Sequence, residues 1–483
     1  MRKAKIVCTI GPASDHLDTV IRLIEQGMNA ARLNFSHGTH ASHAAAIKTI
    51  REAADHCRAP VAIIQDVQGP RIRVGEVAEG GIVLREHQPV RLQTVLARSG
   101  GQLGHQSLSS SSVQEIPVTY PHLARDVRPG ARILINDGLI ELAVEQISGG
   151  HLDCHVVVGG TVTSHKGINL PGTRVSAPTL TDKDREDIRF GVEQGVDYVA
   201  LSFVRGADDV RAAKTLIAGC GGSIPVIAKV ERQEAITCLE AILEEADGVM
   251  IARGDLGVEM GPEAVPLLQK RIIAEANRRR RLVITATQML ESMTQHLRPT
   301  RAEASDVANA VFDGTDAVML SAETAIGAHP LETVHVMDRI IRAAEEGCEP
   351  GVVLKRQGDF GNMTLPEAIC TAAASAAAAT TATAIVAFSE LGNTARLISK
   401  QRPAAPIIAF TPFEPVRRQM ALYWGVQPHT MQQIAQTDER VHEAERRLKA
   451  EGLAKTGERI VILSGTSIGK PGGTNLIKLQ EVE

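Results

Sequence analysis

Aromatic side chains are nearly missing, at 2% of 483 residues with a single Trp, so the cores must be filled by Ala, Val, Ile and Leu. Cysteine is sparse as well: seven residues with no Cys-x-x-Cys pair, which argues against structural zinc and fits a reducing, cytoplasmic compartment. There is no excess of positive charge. A formal net charge of −4 and a pI near 6.5 argue against general binding to nucleic acid or membranes. No Gly-x-x-x-x-Gly-Lys-Ser/Thr loop occurs, so any nucleotide must be held without a P-loop. The opening MRKAKIVCTI reads straight into a strand and has no signal-peptide core. Residues 368–388 carry no charge over a length that could span a bilayer, but they are mostly Ala and Thr. A small-residue helix followed by the strand TAIVAF is the expected outcome. The one basic run, Arg278–Arg281, closes a helical pattern, where cations suit the negative end of the dipole.

Hydrophobic residues at 43% and charged residues at 22% describe a globular chain, long enough for two to four domains. Eight short apolar runs recur in the first 340 residues: KIVCTI, AARLNF, VAIIQDV, DYVALSF, PVIAKV, GVMIAR, RLVITAT and AVMLSAE. Most are followed by an amphipathic helical pattern. Continuous apolar strands alternating with helices imply a covered parallel sheet, and eight units close a (β/α)8 TIM barrel. The third strand is the exception. About a hundred residues with strand-like runs separate it from the next helix, at Asp182, and include a Gly/Ser-rich loop over 99–112. They read as a β-barrel-like lid domain inserted after strand 3, hinged near Gly69-Pro70 and again between Gly167 and Gly172. Beyond about Gly347 the runs TAIVAF, PIIAFT and RIVILSG alternate with helices and predict a C-terminal open α/β domain. The expected limits are 1–69 and 167–346 for the barrel, 70–166 for the lid and 347–483 for the third domain.

Catalytic groups of such barrels sit at the C-terminal ends of the strands. Those ends carry Asn34 and Ser36, Asp66, Ser202, Lys229 and Glu231, Arg253 and Asp255, Thr287 and Gln288, and Ser321 and Glu323. Capping explains one polar strand end; seven, all directed at one mouth, suggest chemistry. Glu231 and Asp255 end adjacent strands and suit one hard divalent cation. Lys229, two residues before Glu231, faces the same side, and an ammonium beside a metal-binding acid suits a phosphorylated anion. The plain alternative for Lys229 is a salt bridge to Glu231 or Asp255. In ARGDLG, Gly254 lets a ligand approach the backbone, and the amides beyond it suit a carboxylate if a helix starts there. Thr287 and Ser321 supply hydroxyls that orient a substrate or relay a proton, or simply cap helices. His37 and His40 stand beside Ser36 without the paired-histidine zinc pattern.

Six segments, in order, resemble pyruvate kinase over essentially the whole length: TIGPAS (9–14), ARLNFSHG (31–38), SHKGINLPG (164–172), ARGDLGVE (252–259), TATQMLESM (285–293) and PTRAEASDVANAVFDGTDAVMLSAETA (299–325). The resemblance implies phosphoryl transfer from phosphoenolpyruvate to ADP, giving pyruvate and ATP in the cytoplasm, by a homotetramer. It implies Glu231 and Asp255 as ligands of magnesium, with manganese as an alternative. Lys229 and Arg32 would hold the phosphoryl, and Gly254, Asp255 and Thr287 the substrate. Thr287 and Ser321 would serve the proton that turns enolate into pyruvate. Nucleotide contacts would come from Asn34, His37, Arg73 and Lys166. Asn34, Ser36, Asp66 and the Val67 carbonyl would form a monovalent-cation site, usually filled by potassium. Arg71 departs from the family's Glu pattern there, so potassium is expected to be dispensable, its field replaced by the guanidinium. The glycine-and-hydroxyl loops with Ser389, Gly392, Asn393 and Thr394, and with Ser464, Gly465 and Thr474, suggest a phosphorylated effector; Leu391 and Glu390 depart from the usual pattern. Rival readings are a magnesium-dependent lyase or aldolase acting on pyruvate or its enolate, and a catalytically inactive metabolite sensor.

Overall fold

The computed structural model describes residues 2–94, 113–347, 363–434, 436–465 and 473–483. The Gly/Ser-rich loop over 99–112 therefore lies outside the described residues, as does 466–472 of the second glycine-and-hydroxyl loop.

All eight expected runs form parallel strands of one closed barrel. In chain order they are Lys5–Thr9, Ala30–Asn34, Ala62–Asp66, Tyr198–Leu201, Val226–Val230, Gly248–Ala252, Leu282–Ala286 and Ala317–Leu320. Side chains alternate between two apolar clusters. Ile6, Ala31, Leu33, Ile63, Val199, Ala228 and Ile251 pack outward against the helices. Val7, Ala30, Ile64, Ala200, Ile227, Met250 and Ile284 fill the lumen. Burial on both faces is why these strands read as continuous hydrophobic runs.

The insert forms a seven-stranded sheet that begins at Ile72–Arg73 and ends at Gln114–Val118, and a bridge between Val74 and Val118 nearly closes it. Its strand Gly167–Asn169 pairs with both Ile72–Arg73 and Arg132–Ile135, and its core extends to Leu170 and Val175. The lid sheet thus takes in residues that sequence patterning assigned to the barrel. The C-terminal domain holds a five-stranded sheet. Ala384–Phe388, Ile407–Thr411 and Arg459–Gly465 are the three expected strands. The other two, Val426–Thr430 and Thr474–Glu481, lie at the edges, where a proline and alternating polar residues obscure the strand signal. Among the described residues no helix is long and apolar enough to cross a membrane; the stretch after 368 is the helix Leu365–Ala379 and the strand Ala384–Phe388. The basic run is structural: Arg279 pairs with Glu275 and Glu240, and Arg281 donates to the carbonyls of Leu243 and Glu244.

The C-terminal domain closes the end of the barrel opposite the mouth. Leu422 joins the lumen cluster, and Lys5 Nζ donates to the Val426 carbonyl at 2.7 Å. Asp316, immediately before the eighth strand, is buried between Lys400 Nζ at 2.5 Å and an Arg402 Nη2 at 2.8 Å. Burial and the neighbouring Arg402 push the Lys400 ammonium down to about 7, against the pull of Asp316. Removing the carboxylate would strip Arg402 and Lys400 of their shared buried partner, which costs about 3–5 kcal/mol. Asp316→Ala is therefore expected to lower the denaturant midpoint and the melting temperature markedly, as followed by circular dichroism. An unchanged midpoint would show that the cluster does not hold the domains together.

Candidate active site

On most of the strands the lumen series changes character at the same level, whereas Met250 and Ile284 are followed by Ala252 and Ala286. Ala30 is followed by Arg32 and Asn34, Ile64 by Asp66, Ala200 by Ser202, Ile227 by Lys229 and Glu231, and Met319 by Ser321. With a side-chain period of two, a strand that fills the lumen low down must present its next same-parity residue at the mouth. A cavity of about 370 Å3 opens there, the size of a small-ligand site. Arg32, Asn34, Ser36, His37, Asp66, Arg71, Lys229, Glu231, Asp255, Thr287 and Ser321 all line it, so most of the expected site residues meet in one place.

Asp66 organises the centre. Its Oδ2 accepts from Arg32 Nε at 2.6 Å, and Lys229 Nζ lies 3.1 Å from its Oδ1. Lys229 Nζ also donates to Ser202 Oγ at 2.7 Å and faces Glu231 Oε1 at 2.9 Å. Ser202 Oγ in turn donates to the Val67 carbonyl at 2.7 Å. The plain alternative for Lys229 is thus realised with Glu231 and Asp66 rather than Asp255. Burial alone would raise the Asp66 carboxyl, but Lys229 and Arg32 hold it below the usual range. Burial alone would lower the Lys229 ammonium, but Asp66 and Glu231 hold it above its ordinary value. Lys229 is a buried donor whose ammonium form the two acids favour.

Glu231 differs. Burial pushes its carboxyl up, with Lys229 opposing and Asp255 adding to the rise. Its Oε2 accepts from the Phe203 amide at 2.7 Å, while Oε1 meets only the ammonium. A carboxylate made costly by burial, and further by a second carboxylate, is a fit for a hard divalent cation, which would offset both. Among the described residues no three His, Cys, Asp or Glu side chains gather as a metal cluster, so a cation on Glu231 and Asp255 would complete its shell with substrate and water. Arg71 Nη2 lies 3.7 Å from Asp255 Oδ1, so its guanidinium reaches toward that acid.

The helix Arg253–Met260 starts directly at the strand end, with Gly254 and Asp255 in its first turn. A Cβ on Gly254 would sit 2.9 Å from Thr287 Cγ2, so only glycine lets these two strand ends approach. Three strand-end groups depart from the expectation that all point into the mouth. Arg253 turns away to Asp306 and the Thr287 carbonyl, Gln288 is not part of the lining, and Glu323 is buried, accepting from the amides of Ser321 and Leu290. Arg253 and Glu323 satisfy backbone or carboxylate groups that the sharp strand ends would otherwise leave unpaired. Sequence reasoning gave no role to Thr9, whose hydroxyl accepts from Arg32 Nη1 at 3.1 Å, or to Ser202. The parity of the lumen positions was the signal available for both.

A second cavity of about 490 Å3 lies between barrel and lid and shares His37, Arg71, Phe203, Glu231 and Asp255 with the first. Arg73 and Lys166 line it; Asn34 faces the barrel cavity instead. Arg73 Nη1 donates to the His165 carbonyl at 3.0 Å. In the C-terminal domain a pocket is lined by Ser389, Asn393, Thr394, Ser464, Gly465 and Thr474, with Glu390, Leu391 and Arg440. Thr394 Oγ1 and Thr474 Oγ1 are 2.7 Å apart, joining the two loops, and Gly392 caps the helix Asn393–Ser399 at φ 80°.

The family model described as pyruvate kinase, barrel domain, matches residues 1–334, and the one described as pyruvate kinase, alpha/beta domain, matches 367–480. "Pyruvate kinase 2" of Synechocystis sp. is 45% identical over 487 residues, covering all of this chain and 80% of that protein. The pyruvate kinase of Clostridium perfringens is 40% identical over 485 residues, covering both chains fully. A solved structure of a pyruvate kinase from Cryptosporidium parvum superposes with a TM-score of 0.92 at 37% identity, over 100% of this chain and 96% of that one. Two matched domains, full-length relatives and a closed barrel with its polar rim agree: the chain belongs to the pyruvate kinase family.

Proposed function

We propose that this chain transfers the phosphoryl group of phosphoenolpyruvate to ADP, with pyruvate and ATP as products. The observation that carries the reading is Lys229, held charged between Asp66 and Glu231 beside Arg32, on the rim that also carries Asp255.

The lining charges cancel: Arg32, Arg71 and Lys229 against Asp66, Glu231 and Asp255. A trianion is therefore not drawn in by the protein alone. Magnesium, or manganese in its place, would be held by Glu231 and Asp255 and would supply a dication that neutralises substrate oxygens. Arg32 and Lys229 hold the phosphoryl oxygens, and the first-turn amides at Gly254 and Asp255 hold the carboxylate. The bond from phosphorus to the enol oxygen breaks as an oxygen of the ADP β-phosphate bonds to phosphorus. Such a transfer needs positioning and charge neutralisation rather than covalent help. Thr287 and Ser321 orient the proton that the enolate takes up at its methylene carbon, which converts it to pyruvate and makes the transfer downhill. His37, Arg73 and Lys166 from the cleft, with Asn34, hold the nucleotide, and lid closure excludes water from the phosphoryl.

Pyruvate release from phosphoenolpyruvate is expected to require both ADP and magnesium, followed by a coupled lactate dehydrogenase assay. Lys229→Ala is expected to lower kcat by at least about 10^2–10^3-fold. Release without ADP would point to a lyase or phosphatase, and no release at all to a sensor.

Potassium independence is the second element of the proposal. Asp66 is already engaged by Arg32 and Lys229, the Val67 carbonyl by Ser202, and Arg71 adds a fixed positive charge beside Asp255. A cation a few ångströms away contributes a field of the same sign as potassium would. Activity in potassium-free buffer is expected to match that in its presence, and Arg71→Glu to create a dependence; a manyfold stimulation of the unaltered protein by potassium would refute this.

Allosteric control is the third. The C-terminal pocket gathers Ser389, Thr394, Ser464 and Thr474 hydroxyls with Arg440 at its wall, groups suited to an anion. Titrating sugar phosphates and nucleotides is expected to find one that changes the half-saturating phosphoenolpyruvate concentration about fivefold or more, an effect lost in Thr394→Ala. A flat response across the panel would remove the pocket from consideration.

A further inference from the structure

The strand Leu282–Ala286 ends in an unusual conformation. Thr287 and Gln288 have φ of 76° and 56°, two successive non-glycine residues in the left-handed region, and the first is β-branched. Such backbone is strongly disfavoured and persists only where the surroundings over-determine it. Here one guanidinium makes most of the polar contacts to the turn, with Glu323 holding the Leu290 amide just beyond it. Arg253 Nη2 donates to the Thr287 carbonyl at 2.7 Å, and Nε to the carbonyls of Ala286 and Thr287, both at 3.2 Å. Its Nη1 donates to Asp306 Oδ1 at 2.7 Å and to Gln269 Oε1 at 3.2 Å. Asp306 Oδ2 lies 2.6 Å from Nη2, so the pair is a two-pronged fork.

Arg253 is also the first residue of the helix whose first turn holds Gly254, packed against Thr287, and Asp255, which lines the cavity. One side chain therefore ties the helix start to the strand end that carries the Thr287 hydroxyl. We infer that Arg253 is a positioning residue for the protonation step: it fixes Thr287 Oγ1 relative to the turn that grips the substrate carboxylate, without touching the substrate itself. The inference rests on the proposed function. Phosphoryl transfer depends on Lys229 and Arg32, which Arg253 does not contact. Proton delivery to the enolate depends on where the Thr287 hydroxyl stands, and a misplacement of about 1 Å can cost 10^2-fold. The two half-reactions should thus separate in variants of Arg253.

The protonation half-reaction can be read in reverse. A C–H bond of the pyruvate methyl breaks, its proton passes to solvent, and the enolate regains a deuteron from deuterium oxide, with no oxidant or reductant needed. The full-length protein is given pyruvate, magnesium and inorganic phosphate, and methyl exchange is followed by proton NMR. Arg253→Lys keeps the charge, but an ammonium cannot span two carbonyls and a carboxylate. It is expected to slow exchange by about 100-fold while KM for ADP stays within about twofold. Asp306→Asn, which loosens the fork from outside, should show the same pattern in smaller degree and carries the test if Arg253→Lys does not fold. Thr287→Val removes the hydroxyl and should abolish exchange. If Thr287→Val fails while Arg253→Lys and Asp306→Asn exchange at the unaltered rate, the inference is overturned and the function stands. If Thr287→Val exchanges normally, the role proposed for Thr287 is itself wrong and the inference falls with it. A parallel loss of exchange, ADP affinity and melting temperature would reduce Arg253 to a fold-stabilising residue.

Discussion

Everything at the mouth of this barrel depends on Asp66, a fully buried carboxylate with a cation on each oxygen. Arg32 on one neighbouring strand and Lys229 two strands away on the other side would each be expensive to bury alone, and their side chains would be free to fold outward. Shared across one acid, both are held charged and aimed into the same cavity. Glu231 then inherits an ammonium on one oxygen and a backbone amide on the other, and Asp255 adds a second acid whose charge opposes its own. The site is a chain of charge compensations in which each member is tolerable only because of the next.

That chain is possible because strand closure fixes parity. Ile227 in the lumen forces Lys229 to the rim, and Ile64 does the same for Asp66. The fold and the chemistry are thus one constraint: eight strands that pack a dry core below present, at the same level, eight positions where polar groups can be gathered above. The lid contributes a second wall, and the five residues common to both cavities mark where the two cavities join.

The barrel strands were legible because burial on both faces leaves unbroken runs of Val, Ile, Leu and Ala, and the rim residues because each follows such a run. The partners were not legible. Nothing near Lys229 in the chain points to Asp66, more than 160 positions earlier; only barrel closure joins them. Arg253 was misread for a related reason. A charged residue at a strand end looks like part of the mouth, and the need of the left-handed Thr287 for a donor to its carbonyl is a three-dimensional fact. The strands Val426–Thr430 and Thr474–Glu481 escaped because edge strands need only half a hydrophobic pattern. The lid's strand Gly167–Asn169 is three residues long, too short for periodicity to assign it to one sheet or the other.

The eighth barrel strand, Ala317–Leu320, has Asp316 at its foot, locked into the C-terminal domain by Lys400 and Arg402, and Ser321 at its head, in the cavity wall. Four residues of extended chain make a strut of roughly 13 Å with almost no compliance along its length. The far domain and the reacting end are therefore joined by a rod rather than a spring. A shear of the lower interface has no slack to absorb it before it displaces a hydroxyl in the cavity wall.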